Sequence, residues 1–180
     1  MAQAFGWGVI RYDQRAVSRQ GVPAIVAALL VRAGLPVDVG PFFRAETQPG
    51  RAVPTLAELA SQRGVQPVPG AGAYLVLGSA LGRQLCVQYG TAHIVAVPME
   101  EDPAASPVRS QFVNSGLPEF VRCLCLLGRM WNIRRRLTSG QASRWTAEFQ
   151  EQLARQDPAA IASPHHWWAT VIEWMRNGLI

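Results

Sequence analysis

The fold of this chain is decided by three neighbouring stretches: "AYLVLGS" (73–79), "QLCVQYG" (84–90) and "AHIVAVP" (92–98). Each is rich in β-branched, aromatic or other apolar residues, and glycine-containing breaks separate them. Such residues favour strands, and short breaks of this kind join neighbouring antiparallel strands. We therefore predict a three-stranded antiparallel meander between residues 74 and 97.

Helical segments precede and follow the predicted meander. In "VPAIVAALLVRAG" (22–34), a proline stands in the first turn and Gly34 provides a left-handed stop. In "TLAELASQRG" (55–64), Thr55 and Glu58 have the spacing of a capping box. Further helices are predicted from about residue 117, at 142–155 and at 164–177. The pattern predicts an α+β fold in which an antiparallel meander packs against several helices, as a single domain over residues 1–180.

The stretch "FVNSGLPEFVRCLCLLGRMW" (112–131) predicts both the start and the buried face of one helix. We expect the side chain of Asn114 or Ser115 to cap this helix by accepting backbone N–H groups. Apolar residues recur at three- and four-residue steps and predict a buried stripe: Leu117, Phe120, Val121, Leu124, Leu127 and Trp131. Cys123 and Cys125 are two residues apart, about 200° around a helix, so they point to opposite sides and cannot share a metal ion.

Composition limits the classes to which the chain can belong. It has 180 residues and a formal net charge of +5, and all 17 basic residues are arginine. No apolar run approaches the ~18 residues of a membrane-spanning helix, and the first residues, "MAQAFGWGVIRYDQRA", lack the apolar centre of a secretory signal. We therefore expect a cytoplasmic protein that does not cross a membrane and keeps its cysteines as reduced thiols.

The sequence contains no recognisable catalytic, metal or cofactor motif. His165 and His166 are adjacent, and neighbours on a helix diverge by about 100°, so the pair does not chelate one ion. Ser79 lies in "LGSALG" (77–82), which lacks the Gly-x-Ser-x-Gly spacing of a serine hydrolase. The arginines between 122 and 144 are typical of a solvated helix face. We expect no catalytic residue, no metal and no cofactor, and we do not expect nucleic acid as a partner.

Four stretches together resemble the SUKH superfamily of immunity proteins, with the branch numbered four as the nearest: "GLPVDVGPFFRA" (34–45), "LGSALGRQLCV" (77–87), "FVNSGLPEFVRCL" (112–124) and "HHWWATVIEWMRNGLI" (165–180). The resemblance covers nearly the whole chain and implies an α+β fold with helices packed on an antiparallel sheet. It also implies a non-enzymatic cytoplasmic antidote whose partner is a cognate protein toxin, commonly a nuclease or a nucleic-acid deaminase.

Two loops that flank the predicted sheet are our candidates for the partner-binding surface, because loops can meet a partner without disturbing the fold. They carry two sets of residues: Asp38, Phe42, Phe43 and Arg44 in one, and Glu100, Glu101 and Asp102 in the other. For Phe42 a place in the core is an equally good interpretation. Two alternative functions stay open. One is an enzyme or small-molecule-binding protein of a biosynthetic pathway, with His93 in a deep pocket; the other is a nucleic-acid binder whose arginines share one face.

Overall fold

Two antiparallel sheets form the β structure of this chain, whose computed structural model describes residues 8–46, 52–67, 69–98, 110–134 and 138–179. The strands in chain order are β1 (Val9–Ile10), β2 (Leu35–Pro36), β3 (Arg44–Ala45), β4 (Tyr74–Ala80), β5 (Arg83–Gln88), β6 (Ile94–Pro98) and β7 (Gln111–Asn114). β1 pairs with β2, while β3 to β7 follow one another across the main sheet in sequence order. The predicted meander is confirmed as β4, β5 and β6, and β3 and β7 extend it on either side.

The helices in chain order are α1 (Gln14–Arg19), α2 (Ala24–Arg32), α3 (Leu56–Gln62), α4 (Leu117–Arg134), α5 (Ser139–Gln156) and α6 (Trp167–Arg176). Every predicted helix is present, and α1 was not foreseen. The capping box of α3 is confirmed, because the Thr55 side chain accepts from the Glu58 N–H while the Glu58 carboxylate accepts from the Thr55 N–H. The predicted α+β fold, an antiparallel sheet packed against several helices, is therefore confirmed.

The two faces of the main sheet are buried against different elements. One face carries Leu75, Leu77 and Leu85 and belongs to the large core formed with α2, α4, α5 and α6. The opposite face carries Val76, Cys86 and Val97 and packs against leucines of α3. Because side chains alternate along a strand, each strand of the meander contributes to both cores, and this explains its nearly continuous apolar sequence.

A close approach of β3 to β4 at Gly78 positions the chain segment that precedes β3. A Cβ atom at Gly78 would lie 2.3 Å from the Arg44 carbonyl oxygen and 2.7 Å from the ring of Phe43. Real side chains do not tolerate such contacts, so a larger residue at this position would push β3 away from the sheet. Glycine at 78 therefore keeps the segment before β3 tight against the end of the meander.

The predicted helix cap at Asn114 is wrong, because the residue ends β7 and its side chain points into the core. Asn114 is 0% exposed; its Nδ2 donates to Asp157 Oδ2 at 2.8 Å, and its Oδ1 accepts from Trp168 Nε1 at 3.0 Å. The backbone N–H and the hydroxyl of Ser115 also donate to Asp157, each at 2.8 Å. This network links four elements: the end of β7, the start of α4, the C-terminal end of α5 and α6.

The predicted stripe of α4 is confirmed as core. Leu117, Phe120, Leu124 and Leu127 are fully buried, and Trp131 is partly buried against the same cluster. In the described parts of the chain, no helix is long and apolar enough to cross a membrane.

Candidate partner-binding groove

A groove of about 560 Å³ opens at one end of the main sheet. Its walls come from the segment between β2 and β3, the turn between β4 and β5, and the residue that follows α3. Five polar or charged side chains line it: Asp38, Arg44, Arg63, Ser79 and Gln84. The groove therefore combines an apolar sheet scaffold with a polar lining.

The segment between β2 and β3 turns back on itself beside the groove. The Val39 N–H donates to the Phe43 carbonyl at 2.7 Å, and Asp38 forms an antiparallel bridge with Arg44. This turn directs Phe42 and Phe43 inward, where they are 0% and 1% exposed. Asp38 and Arg44, which flank the turn, remain at the surface.

Phe43 does not face a partner as predicted, and for Phe42 the alternative position in the core is the one observed, because both rings are buried. The Phe42 ring packs edge-on against Trp131 with 4.7 Å between centroids, and the Phe43 ring packs edge-on against Phe120 at 5.6 Å. Burial of an aromatic side chain contributes roughly 1.5–3 kcal/mol to stability, so a buried position is more stable for each ring than an exposed position on a loop. The two rings hold the loop in place and leave Asp38 and Arg44 as its polar groups in the groove.

Arg44 and Asp38 form an exposed ion pair at the groove. Arg44 Nε lies 3.3 Å from Asp38 Oδ2, and the two side chains are 76% and 36% exposed. An exposed pair of this kind contributes at most about 1 kcal/mol to stability. Either group can therefore exchange its partner for a charged group on another protein at small cost to the fold.

Arg63 adds a second guanidinium group to the groove. It follows the last residue of α3 and pairs with Glu46, which lies next to β3. The side chain of Arg63 is 39% exposed and that of Glu46 is 19% exposed. The groove thus presents N–H donors from two arginines, each of which pairs with a carboxylate.

Gln84 is the buried polar residue of the groove. It lies on β5 opposite Ser79 of β4 and Val97 of β6, and only 5% of its surface is exposed. Within the described chain its Oε1 atom has no hydrogen-bond partner. A buried amide oxygen without a partner is costly, so this atom is the least expected feature of the groove.

Sequence reasoning missed Arg63 and Gln84 and considered Ser79 only as a nucleophile. A usable signal was present at Gln84, since it lies two residues before Cys86 and therefore on the same face of β5. A polar residue in register with a buried face predicts either a hydrogen-bond partner or a binding site.

The acidic residues Glu100, Glu101 and Asp102 lie outside the described residues. In the sequence they begin two residues after Pro98, which ends β6 and borders the groove. Their part in partner binding stays a prediction.

The histidines do not contribute to this groove. His93 precedes β6, and its ring packs edge-on against Phe112 with 5.4 Å between centroids. His166 Nδ1 lies 2.8 Å from the Ala159 carbonyl oxygen, which ties the start of α6 to the preceding turn. Among the residues for which the structure gives positions, no group of three or more His, Cys, Asp and Glu side chains could hold a metal ion.

The cysteines are packing residues with poorly reactive thiols. Burial raises the pKa of the Cys86 and Cys125 thiols above the ordinary value. Burial also raises the pKa of Cys123 to about 12, although the Asn114 side chain, which donates to its sulfur at 3.5 Å, acts in the opposite direction. Because the thiolate is the nucleophile and the metal ligand, these three residues favour packing over chemistry.

Comparison with known protein families identifies the chain. The family model described as SUKH-4 immunity protein matches residues 1–174, and the chain therefore belongs to the SUKH-4 immunity protein family. This confirms the resemblance found in the sequence motifs and makes the chain an immunity protein by family. No curated protein and no solved structure matches it.

Proposed function

We propose that this immunity protein neutralises a cognate protein toxin by binding it through the groove at the end of the main sheet. The groove supports this proposal because it combines a rigid scaffold with exposed charges that can change partners. Asp38 and Arg44 lie on a loop that buried phenylalanines hold in place, so the backbone that carries their charges is already ordered before binding. Such pre-organised polar groups give an interface its specificity.

The toxin, in our proposal, is a nuclease or a nucleic-acid deaminase. The family resemblance motivates this choice, and the acidic run 100–102 is consistent with it, because three adjacent carboxylates can occupy a basic site that otherwise receives phosphate groups. The run follows the groove-lining residue Pro98 closely in sequence. Asp38, Arg44 and the run 100–102 together form the proposed contact surface.

The experiment co-expresses the protein with the toxin domain encoded beside its gene and measures cell survival and the affinity of the purified pair. The wild-type protein should restore growth and bind one toxin per chain. Arg44→Glu should weaken binding at least ~10-fold, since a charge reversal in a contact surface leaves a like-charge or unpaired group.

Arg155→Glu is a matched control for Arg44→Glu. Arg155 lies on α5, its side chain is 75% exposed, and it pairs with Glu151 at 3.5 Å, so it closely resembles Arg44 in exposure and in having one exposed acidic partner. Unchanged affinity for Arg155→Glu with reduced affinity for Arg44→Glu supports the groove. Equal effects of the two variants would contradict it and leave only a general charge effect.

A further inference from the structure

One buried polar atom of the groove, the Oε1 atom of Gln84, does not contribute to the hydrogen bonding of the described chain. Gln84 is 5% exposed, and its Oε1 lacks a hydrogen-bond partner in the described chain. A leucine of similar size would avoid the desolvation of this oxygen without leaving a cavity. An arrangement that costs stability in the free protein is typical of a binding site.

The charged groups that line the groove with Gln84 are two arginines and one aspartate, which leaves an excess of positive charge. Ser79 stands directly opposite Gln84 across the β4–β5 pair, and the guanidinium groups of Arg44 and Arg63 line the same groove. The groove therefore offers the buried Gln84 acceptor beside two guanidinium groups, each of which already pairs with a carboxylate, Arg44 with Asp38 and Arg63 with Glu46. A ligand that satisfies Gln84 and matches the excess positive charge of the lining carries an N–H group and an acidic group together.

This combination of groups selects among ligands. A small anion without a proton to donate, such as sulfate, would match the arginines but would leave the Gln84 oxygen without a donor. A basic side chain would satisfy Gln84 and could pair with Asp38, but it would add to the excess positive charge of the lining. A polypeptide segment with an acidic side chain satisfies both, since its backbone supplies the N–H group.

We infer that the groove receives an acidic loop of the toxin, that the amide oxygen of Gln84 accepts a backbone N–H from this loop, and that the acidic side chain of the loop pairs with Arg44 and Arg63. This inference rests on the proposed function and names the part of the toxin that enters the groove. It makes Gln84 a specificity-determining residue that is carried at a cost to stability.

The test compares Gln84→Leu with the matched control Gln88→Leu. Gln88 lies four residues further along β5, hence on the same face of the sheet, and its Oε1 accepts from the Thr91 hydroxyl at 3.2 Å. Gln84→Leu should raise the melting temperature by about 2–4 °C and weaken toxin binding ~10-fold or more, since a lost hydrogen bond of this kind changes the equilibrium constant by about that factor. Gln88→Leu should leave toxin binding unchanged.

The outcomes separate this inference from the proposed function. If the wild-type protein neither binds nor neutralises the toxin, the proposed function fails and this inference fails with it. If the wild-type protein binds and Gln84→Leu binds equally well, only the inference is overturned. A lower melting temperature for Gln84→Leu also overturns it, because the side chain would then stabilise the fold.

A second measurement uses a small probe in place of the toxin. N-acetyl-aspartate methylamide carries one acid and flanking N–H groups, so at millimolar concentration it should shift the NMR signals of the Gln84 side-chain amide in the wild type. N-acetyl-glutamine methylamide, which lacks the acid, should shift them less. Equal shifts from both compounds, or larger shifts from inorganic phosphate, would contradict an acidic peptide as the occupant.

Discussion

Asp157 is the residue whose removal should damage the fold most by hydrogen bonding alone. It is 2% exposed, and its carboxylate accepts three hydrogen bonds of 2.8 Å, from Asn114 Nδ2 and from the backbone N–H and hydroxyl of Ser115. Asp157→Ala leaves these donors without their acceptor: the Asn114 amide at a buried site and the two Ser115 groups at a partly buried one. Each such group costs about 1–3 kcal/mol, and incomplete additivity brings the expected loss to about 3–5 kcal/mol.

Urea denaturation followed by tryptophan fluorescence measures this loss directly. A loss of about 3–5 kcal/mol is a large share of the roughly 5–15 kcal/mol that stabilises a typical domain, and it should lower the melting temperature by about 6–20 °C. Asp157→Asn should cost only about 1 kcal/mol. Its amide oxygen can replace Oδ2 as the acceptor of two bonds, and its amide nitrogen can donate to the Ser115 hydroxyl.

The comparison with an exposed acid tests the role of burial. Asp13 caps α1 by accepting from the Ala16 N–H at 2.8 Å in an exposed position, so Asp13→Ala should cost only ~1 kcal/mol. If Asp157→Ala costs no more than Asp13→Ala, the network is not a buried one. If Asp157→Asn costs as much as Asp157→Ala, the negative charge of Asp157 contributes more to stability than the geometry of its hydrogen bonds.

Three other predictions concern the core, the thiols and the acidic run. Leu124→Asp places an unpaired charge at a fully buried position and should unfold the protein; a native circular dichroism spectrum would contradict this. A thiol reagent at pH 8 should label Cys125 first and should reach Cys86 and Cys123 only after denaturant is added, because Cys125 is half-buried whereas Cys86 and Cys123 are buried; burial also raises the pKa of all three thiols, which slows the reaction of each. Equal labelling rates in the native protein would be inconsistent with this difference in burial. Reversal of all three charges of the run 100–102 to arginine should lower the rate of toxin association ~10-fold or more at low salt, while the melting temperature stays nearly unchanged; stopped-flow kinetics at two salt concentrations decide whether the run belongs to the interface.

Local signals predicted most of the secondary structure. The capping box at Thr55 and the left-handed glycine at 34, where φ is +76°, depend on residues close together in sequence, so the helix boundaries follow from them. The meander was equally accessible, because its strands are consecutive and the breaks between them are short. These elements can therefore be predicted without knowledge of contacts between residues that are distant in sequence.

Features that depend on distant contacts were not predicted. Phe42 and Phe43 lie in a loop rich in proline and glycine, and only their contacts with Trp131 and Phe120, far away in sequence, place them in the core. Asn114 resembled a helix cap because the four residues of β7 are too few to predict from sequence that this strand pairs with β6. In each case tertiary packing overrides a local preference.

The position of the groove follows from the length of α3. This helix has only seven residues, and it covers the part of the sheet face that carries Val76, Cys86 and Val95. Beyond the end of the helix, at Arg63, the same face continues to Ser79 and Gln84, where the groove begins. A buried sheet face is normally covered along its whole length, since exposed apolar and polar backbone surface is costly there. Where the chain's own helix stops short, another protein segment can complete the cover, and the residues at that place change from apolar to hydrogen-bonding. This change from Cys86 to Gln84 along one strand is consistent with the polar partner that we propose for the groove.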